Sequence, residues 1–255
     1  PDIFTFAPGS DYRVTINGVR YDFTDADLDG LTFTGTSGDD LAELTGMSGH
    51  DEVTLDPKGG KLVGSGYAVA LGGVFKITVD GGGGTGVATM NDSAGNETFL
   101  SIAGSCNLSN ATFENSVDNF PLVNAYAKNG GQDTARMEDS PVSDKWKADA
   151  EEEWAKMYDG SRSYQVRVKF FDMVHAYAKH GGNDNARFYD TSGSEKFKLD
   201  VDDDYCKLYG SDFFYRAKFF ETSAAWSTRG GTDELRMLGM PGAKDKFIGT
   251  PTKAR

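Results

Sequence analysis

The chain is short of cysteine, histidine and positive charge, and it has no long apolar run. Each shortage removes a class of function. Its 255 residues include two cysteines and three histidines, His50, His175 and His180, which fall in different local contexts. No CxxC pair, HExxH or GxSxG occurs, so the common redox, metalloprotease and serine-hydrolase signatures are missing. Lys and Arg number 26 against 39 Asp and Glu, a net charge of −13. That balance argues against nucleic acid as a partner, because phosphate contacts need clustered cations. No stretch approaches the roughly 18 consecutive apolar residues of a membrane-spanning helix. The first residue is Pro1 and no signal peptide is visible, which reads as a processed chain or an excised segment. The length allows one large domain or two small ones.

What the chain has instead is glycine, 32 residues, and an internal repeat. Taking Gly38, Gly84, Gly131, Gly182 and Gly231 as origins, the spacings are 46, 47, 51 and 49. Four residues on come Ala42, Ala88, Ala135, Ala186 and Leu235; six on come Leu44, Met90, Met137, Phe188 and Met237. Eight on come Gly46, Asp92, Asp139, Asp190 and Gly239. The copies at 123–140 and 174–191 match best, and the match fades toward both ends, as terminal repeats that cap a stack do. Within each copy small or apolar residues alternate with polar ones, the two-residue period of a strand. Segment 145–158 has good helix propensity, but its partner at 196–209 is rich in Val and Asp and is a poor helix. Equivalent positions share structure, so strand–turn–strand is expected in both.

Short strands, Gly-rich turns and a period near 50 predict an all-β fold, a right-handed parallel β-solenoid (β-helix) of about five repeats. A three-faced solenoid makes each repeat two coils, ten in all, and a stack roughly 50 Å long at ~4.8 Å per coil. An antiparallel β-sandwich is the rival; it needs alternating hairpins, and the one strong hairpin signal is Asn17-Gly18 within 15–23. Residues 1–35 are therefore read as an N-terminal β-hairpin cap and 36–255 as the five-repeat solenoid. Cys106 and Cys206 lie two repeats apart, roughly 19 Å along such an axis, too far for a disulfide.

The phrases AYAKNGGQDTARMEDS and AYAKHGGNDNARFYDTSGSEKF resemble a repeat of very long secreted or surface proteins of planctomycete-type bacteria. GTSGDDLAEL and GMSGHDEV are similar to degenerate hemolysin-type calcium-binding repeats, although the full nonapeptide GGxGxDxUx never occurs. The resemblance implies an extracellular, repetitive β-solenoid at a secreted or cell-surface location, and says little about chemistry.

Two acidic columns recur at turns. Asp40, Asp133, Asp184 and Asp233 form one, with Gly86 as its gap; Asp51, Glu97, Asp144, Glu195 and Asp245 form the other. Stacked about 5 Å apart, such carboxylates suit Ca²⁺, which takes six to eight oxygen ligands. The candidate metal ligands are thus Asp40, Asp51, Asp133, Asp144, Asp184, Glu195 and Asp233. The plain alternative is that Asp favours turns, with Arg136, Arg187 and Arg236 neutralising the column. The aromatic columns Tyr126, Tyr177, Trp226 and Phe120, Phe171, Phe220 read as core ladders rather than a sugar-binding strip. No catalytic residue is expected. A polysaccharide lyase would show one non-repeated charged cluster, whereas Lys145, Lys196 and Lys246 follow the repeat.

Charge is uneven: residues 1–120 carry 17 acids and 5 bases, residues 121–255 carry 22 and 21. A basic tail after Phe247, with Lys253 and Arg255, faces away from that acidic half. The reading is a secreted or cell-surface structural protein that acts by head-to-tail assembly with itself into a fibre or layer, weakened by salt. The alternative is a carbohydrate-binding or carbohydrate-cleaving solenoid with an extracellular polysaccharide as partner.

Overall fold

The computed structural model describes residues 1–24, 30–36 and 38–239. Asp245, Lys246, Phe247 and the basic tail lie outside them. Among the described residues the chain is all β with no helix, and stacked parallel strands make it a β-solenoid. The first repeat holds β1 (Ile3–Ala7), β2 (Tyr12–Ile16), β3 (Val19–Phe23), β4 (Leu31–Thr34) and β5 (Leu41–Thr45). The second holds β6 (Glu52–Asp56), β7 (Gly59–Gly64), β8 (Tyr67–Gly72), β9 (Lys76–Asp80) and β10 (Val87–Asn91). The third holds β11 (Thr98–Ile102), β12 (Ser105–Asn110), β13 (Phe113–Asp118), β14 (Leu122–Tyr126) and β15 (Thr134–Glu138). The fourth holds β16 (Asp144–Asp149), β17 (Trp154–Asp159), β18 (Gln165–Lys169), β19 (Met173–Tyr177) and β20 (Asn185–Tyr189). The fifth holds β21 (Lys196–Asp200), β22 (Tyr205–Tyr209), β23 (Phe214–Lys218), β24 (Thr222–Trp226) and β25 (Glu234–Leu238).

The strands stack into two sheets. Sheet one runs β25-β21-β22-β23-β19-β15-β11-β12-β13-β9-β5-β1-β2-β3, and sheet two runs β24-β20-β16-β17-β18-β14-β10-β6-β7-β8-β4. Every repeat follows one path: a three-stranded antiparallel meander in one sheet, one strand in the other, one strand back in the first. The outer strands of a meander pair in parallel with the neighbouring coils, as β11 does with β15 and β13 with β9. Only the middle strand, here β12, is antiparallel to both neighbours. The stack therefore has two faces rather than three, and a repeat is five strands rather than two plain coils. At ~4.8 Å per strand, the 14 strands of sheet one span roughly 60 Å.

A repeat visits the sheets three times. Three is odd, so equivalent strands of successive repeats lie in opposite sheets: β14 and β24 in sheet two, β19 in sheet one. Alternation along each strand sends one side chain in two inward. Ala135, Met137, Ala186 and Phe188 are wholly buried, and one apolar cluster fills the space between the sheets. Trp146 packs edge-on to Phe188 at 5.0 Å within it.

Segments 144–159 and 196–209 are both strand–turn–strand, as their equivalence requires. The Asn17-Gly18 turn joins β2 to β3 with φ of 50° and 80°, the pair of left-handed residues a type I′ hairpin needs. Residues 1–35, read as a cap, supply β1 to β4 along the same meander-and-cross path as β11 to β14, and β3 and β4 are the edges of the two sheets. Cys106 and Cys206 are both free and buried. They sit in β12 and β22, five strand spacings apart in sheet one, or about 24 Å.

Candidate functional site

The acidic residues do gather, but not in columns. The reason is the odd count of visits: Asp133 and Asp233 precede strands of sheet one, while Asp184 precedes a strand of sheet two. Equivalent acids therefore lie on opposite sides of the stack and cannot form one ladder. The two expected columns instead meet each other. Glu97 N–H donates to Asp133 Oδ1 at 2.7 Å, Asp144 N–H to Asp184 Oδ1 at 2.7 Å and Glu195 N–H to Asp233 Oδ1 at 3.0 Å. Asp2 N–H donates to Asp40 Oδ1 at 2.6 Å in the same way. Each bond ties the turn that opens one coil to the matching turn of the next.

A third acid joins each junction, from the position eight residues after the repeat origin. Asp92, Glu97 and Asp133 bring carboxylate oxygens within 4.8 Å of one another, all three side chains buried; Asp139, Asp144 and Asp184 do the same. Asp190, Glu195 and Asp233 line one cleft at the next junction. Asp92, Asp139 and Asp190 stand outside the candidate ligand set above, and their recurrence eight residues after their repeat origins is the sequence signal for them. The second repeat lacks the arrangement. There Gly46 and Gly86 replace both partners, and Asp51 accepts Tyr67 O–H at 2.7 Å and Met47 N–H at 2.6 Å.

Partner chemistry follows the side of the stack. Where the turn leads into sheet two the acid is Asp, met by a tyrosine hydroxyl: Tyr67 on Asp51, and Tyr164 on Asp144 at 2.6 Å. Before β11 and β21, which lie in sheet one, the acid is the longer Glu, met by Ser93 on Glu97 and Thr191 on Glu195; before β1 it is Asp2. Two of the junction acids, Asp133 and Asp184, resist ionisation. Burial, reinforced by the charges of Glu97 and Asp92, pushes Asp133 up to about 7. Burial, with Asp139, Glu221 and Asp144 nearby, pushes Asp184 up to about 6.

The junctions differ in how their charge is met. Among the described residues no Lys, Arg or His forms an ion pair with Asp92, Glu97 or Asp133. Asp92 is instead capped by the amide of Asn129 at 3.0 Å. At the next junction the equivalent residue is His180, whose Nδ1 lies 2.8 Å from Asp139 Oδ1. At the third it is Arg229, whose backbone N–H donates to Asp190 Oδ2 at 2.9 Å while its guanidinium donates to the Asp190 carbonyl and ion-pairs Asp149. Arg136 and Arg187 neutralise none of these groups: Arg136 pairs with Glu138, and Arg187 Nε donates to Asn185 Oδ1 at 2.9 Å. The donor set of the first triad is all oxygen and fits a hard cation such as Ca²⁺. Glu97 Oε2 is a buried oxygen with no hydrogen-bond partner there.

The aromatic columns divide. Phe120, Phe171 and Phe220 are 2%, 3% and 8% exposed and belong to the core. Tyr126, Tyr177 and Trp226 end outward-facing positions of β14, β19 and β24, so Tyr126 and Trp226 share one outer face and Tyr177 occupies the other. They are not the single core ladder expected of them.

No protein-family model, curated protein or solved structure matches the chain. No helix among the described residues is long and apolar enough to cross a membrane.

Proposed function

We propose that the chain is a structural repeat protein that acts by assembly, as a subunit or segment of a secreted or cell-surface fibre or layer. One observation carries the reading: among the described residues, nothing covers the inward-facing apolar side chains at either end of the stack. At the N-terminal edge Val19 and Tyr21 of β3 are 54% and 47% exposed, although they pair with Ile16 and Val14 of the core-facing row. At the other edge Leu235 and Met237 of β25 are 48% and 40% exposed, whereas their counterparts Ala135, Met137, Ala186 and Phe188 are wholly buried. Among the described residues, β3 and β25 each have one strand neighbour. An edge with an apolar inner row is a template for another strand. Two unlike ends of this kind make a heterologous contact, which propagates when it does not close.

The extracellular placement rests on the repeat resemblance. In this reading calcium is the cation that the junction acids would take, stiffening the turns between coils.

Light scattering over a range of protein concentrations, with electron microscopy, tests the assembly. The expected result is growth with concentration, abolished by Leu235→Asp with Met237→Asp while the circular dichroism of the β-sheet is retained. A chain that stays monomeric at high concentration refutes it.

A further inference from the structure

The outer face of sheet two carries a row of cations with no acid among them. Register places Arg167 opposite Lys156, Lys156 opposite Lys147, and Lys147 opposite Arg187, across β18, β17, β16 and β20. Directly opposed like charges destabilise a sheet. The chain has 39 acidic residues with which to alternate signs, yet none is placed here. Among the described residues none of these four cations forms an ion pair. They lie on aromatic rings instead: Lys156 is 5.1 Å from the Trp154 ring, Arg167 5.8 Å from the same ring, Lys147 5.9 Å from Tyr158, and Arg187 5.7 Å from Trp226. A ring holds a cation in place without cancelling its charge. Burial, and then the neighbouring Lys147, Arg167 and Arg162, hold Lys156 below the ordinary lysine range.

The fold does not require these cations. The same row continues through β14, β10 and β6 as Asn124, Thr89 and Thr54, all uncharged. Nor do they guard an edge, where lysine commonly blocks aggregation, because all four strands are interior to the sheet. The cations also recur: Lys198, Lys207 and Arg216 hold the places of Lys147, Lys156 and Arg167 one repeat later, on the opposite face. On that face acids answer part of the charge, Glu138 to Arg136 and Asp200 to Lys198.

We propose that the Arg167–Lys156–Lys147–Arg187 row is a binding site for a linear, carboxylated polysaccharide lying along the stack axis. The row offers one cation per strand, about every 4.8 Å, a spacing commensurate with one carboxylate per sugar in an extended polyuronate. Nucleic acid carries charge far more densely, about one per 1.7 Å of duplex or 3.4 Å of single strand, out of step with one cation per strand. Trp154 and Trp226 lie against the cations of the row, so an anion seated on it would change their fluorescence.

The experiment is titration of the full chain with sodium polygalacturonate at low ionic strength, followed by tryptophan fluorescence and affinity electrophoresis. Fully methyl-esterified polygalacturonate and oligothymidylate serve as comparison polymers. Saturable binding is expected that weakens with added salt, with none to the ester. Lys147→Gln with Lys156→Gln should cost at least tenfold in affinity, and Arg167→Gln with Arg187→Gln should do the same. Both variants should melt no lower than the parent, since each removes a repulsion. Lys76→Gln, in β9 of the other sheet, should bind like the parent. Absence of binding, or affinity unchanged in both double variants, overturns the proposal. Tighter binding of oligothymidylate at equal charge concentration overturns the assignment to polysaccharide and transfers the site to single-stranded nucleic acid.

Discussion

The paired glycines at four of the five repeat origins invite a test in which two adjacent residues should behave differently. Gly130 and Gly131 have φ of +96° and +111°, a conformation that costs an L-residue on the order of 1–3 kcal/mol. A β-carbon on Gly130 would meet open space, so Gly130→Ala carries that strain alone. A β-carbon on Gly131 would overlap the carbonyl oxygen of Gly95 in the preceding coil. The turn would have to retreat by more than ~1 Å to restore the ~3.5 Å separation of packed atoms. Three hydrogen bonds span the gap and would be lost: Gln132 N–H to Asn96 Oδ1 at 2.8 Å, Glu97 N–H to Asp133 Oδ1 at 2.7 Å, and Thr134 N–H to Glu97 O at 3.0 Å. At about 1 kcal/mol each, Gly131→Ala should be about 3 kcal/mol less stable than Gly130→Ala. Gly181 and Gly182 repeat the contrast, since only Gly182 would meet a backbone oxygen, that of Val142 at 2.5 Å.

Urea unfolding of the four single variants measures the differences. Hydrogen exchange at residues 96–97 and 132–134 shows whether the damage is confined to the junction, which matters because repeat stacks need not unfold as one unit. Equal losses for Gly130→Ala and Gly131→Ala would refute the reasoning, because contact between turns would then contribute nothing beyond backbone strain.

The junction acids predict a pH response. Asp133 and Asp184 titrate higher in the folded chain, about 7 and about 6, than the ordinary 3.8. The folded state thus holds protons more tightly, so their stabilisation is complete below about pH 3.8 and is lost as pH rises through 6 to 7. In chelator the melting temperature should fall from pH 5 to pH 8, and Asp133→Asn should flatten the fall; a flat parent curve counts against the buried triad. Millimolar Ca²⁺ at pH 8 should raise the melting temperature by linkage, and the rise should shrink in Glu97→Gln; identical curves with Ca²⁺ and chelator remove the calcium reading. Burial pushes both thiols up to about 12, so Cys106 and Cys206 should stay unreactive to Ellman's reagent until denaturant is added. Rapid reaction of the native chain would contradict their burial.

How much of this was legible in the sequence depends on which quantity is asked. The two-residue period, the Gly-Gly origins and the Asn17-Gly18 turn announced strands and stacking, because each is a local property of the chain. Ala135, Met137, Ala186 and Phe188 were readable as inward-facing for the same reason. The meanders were readable only in pieces, the strand–turn–strand of 145–158 and 196–209 and the Asn17-Gly18 turn, and not as three paired strands. Three of their turns reach left-handed backbone through Lys58, Ala103 and Glu153, with φ between 47° and 62°, residue types that carry no turn signal of their own. Without the meanders the number of visits per repeat could not be counted. The parity of that number decides whether equivalent residues stack or alternate, so the acidic columns and the Tyr126–Tyr177–Trp226 ladder failed together, from one cause.

The same parity explains why the cation row had to wait for the register. Lys147, Lys156 and Arg167 are 9 and 11 residues apart along the chain, spacings with no meaning for a plain coil. The meander folds β16, β17 and β18 back on one another and aligns them, and the cross-coil pair β16–β20 adds Arg187. Because the next repeat begins in the other sheet, its Lys198, Lys207 and Arg216 build a second row on the opposite face rather than lengthening the first. One motif repeated in sequence thus becomes two parallel rows, one on each side of the stack. Stacking further repeats would extend both, one meander on each face for every two repeats added. End-to-end assembly and a polyanion held along the axis are therefore compatible: the first uses the ends of the stack and the second its sides. The Leu235→Asp/Met237→Asp variant separates them, since it should abolish growth while leaving the affinity of each chain for a short oligogalacturonate unchanged.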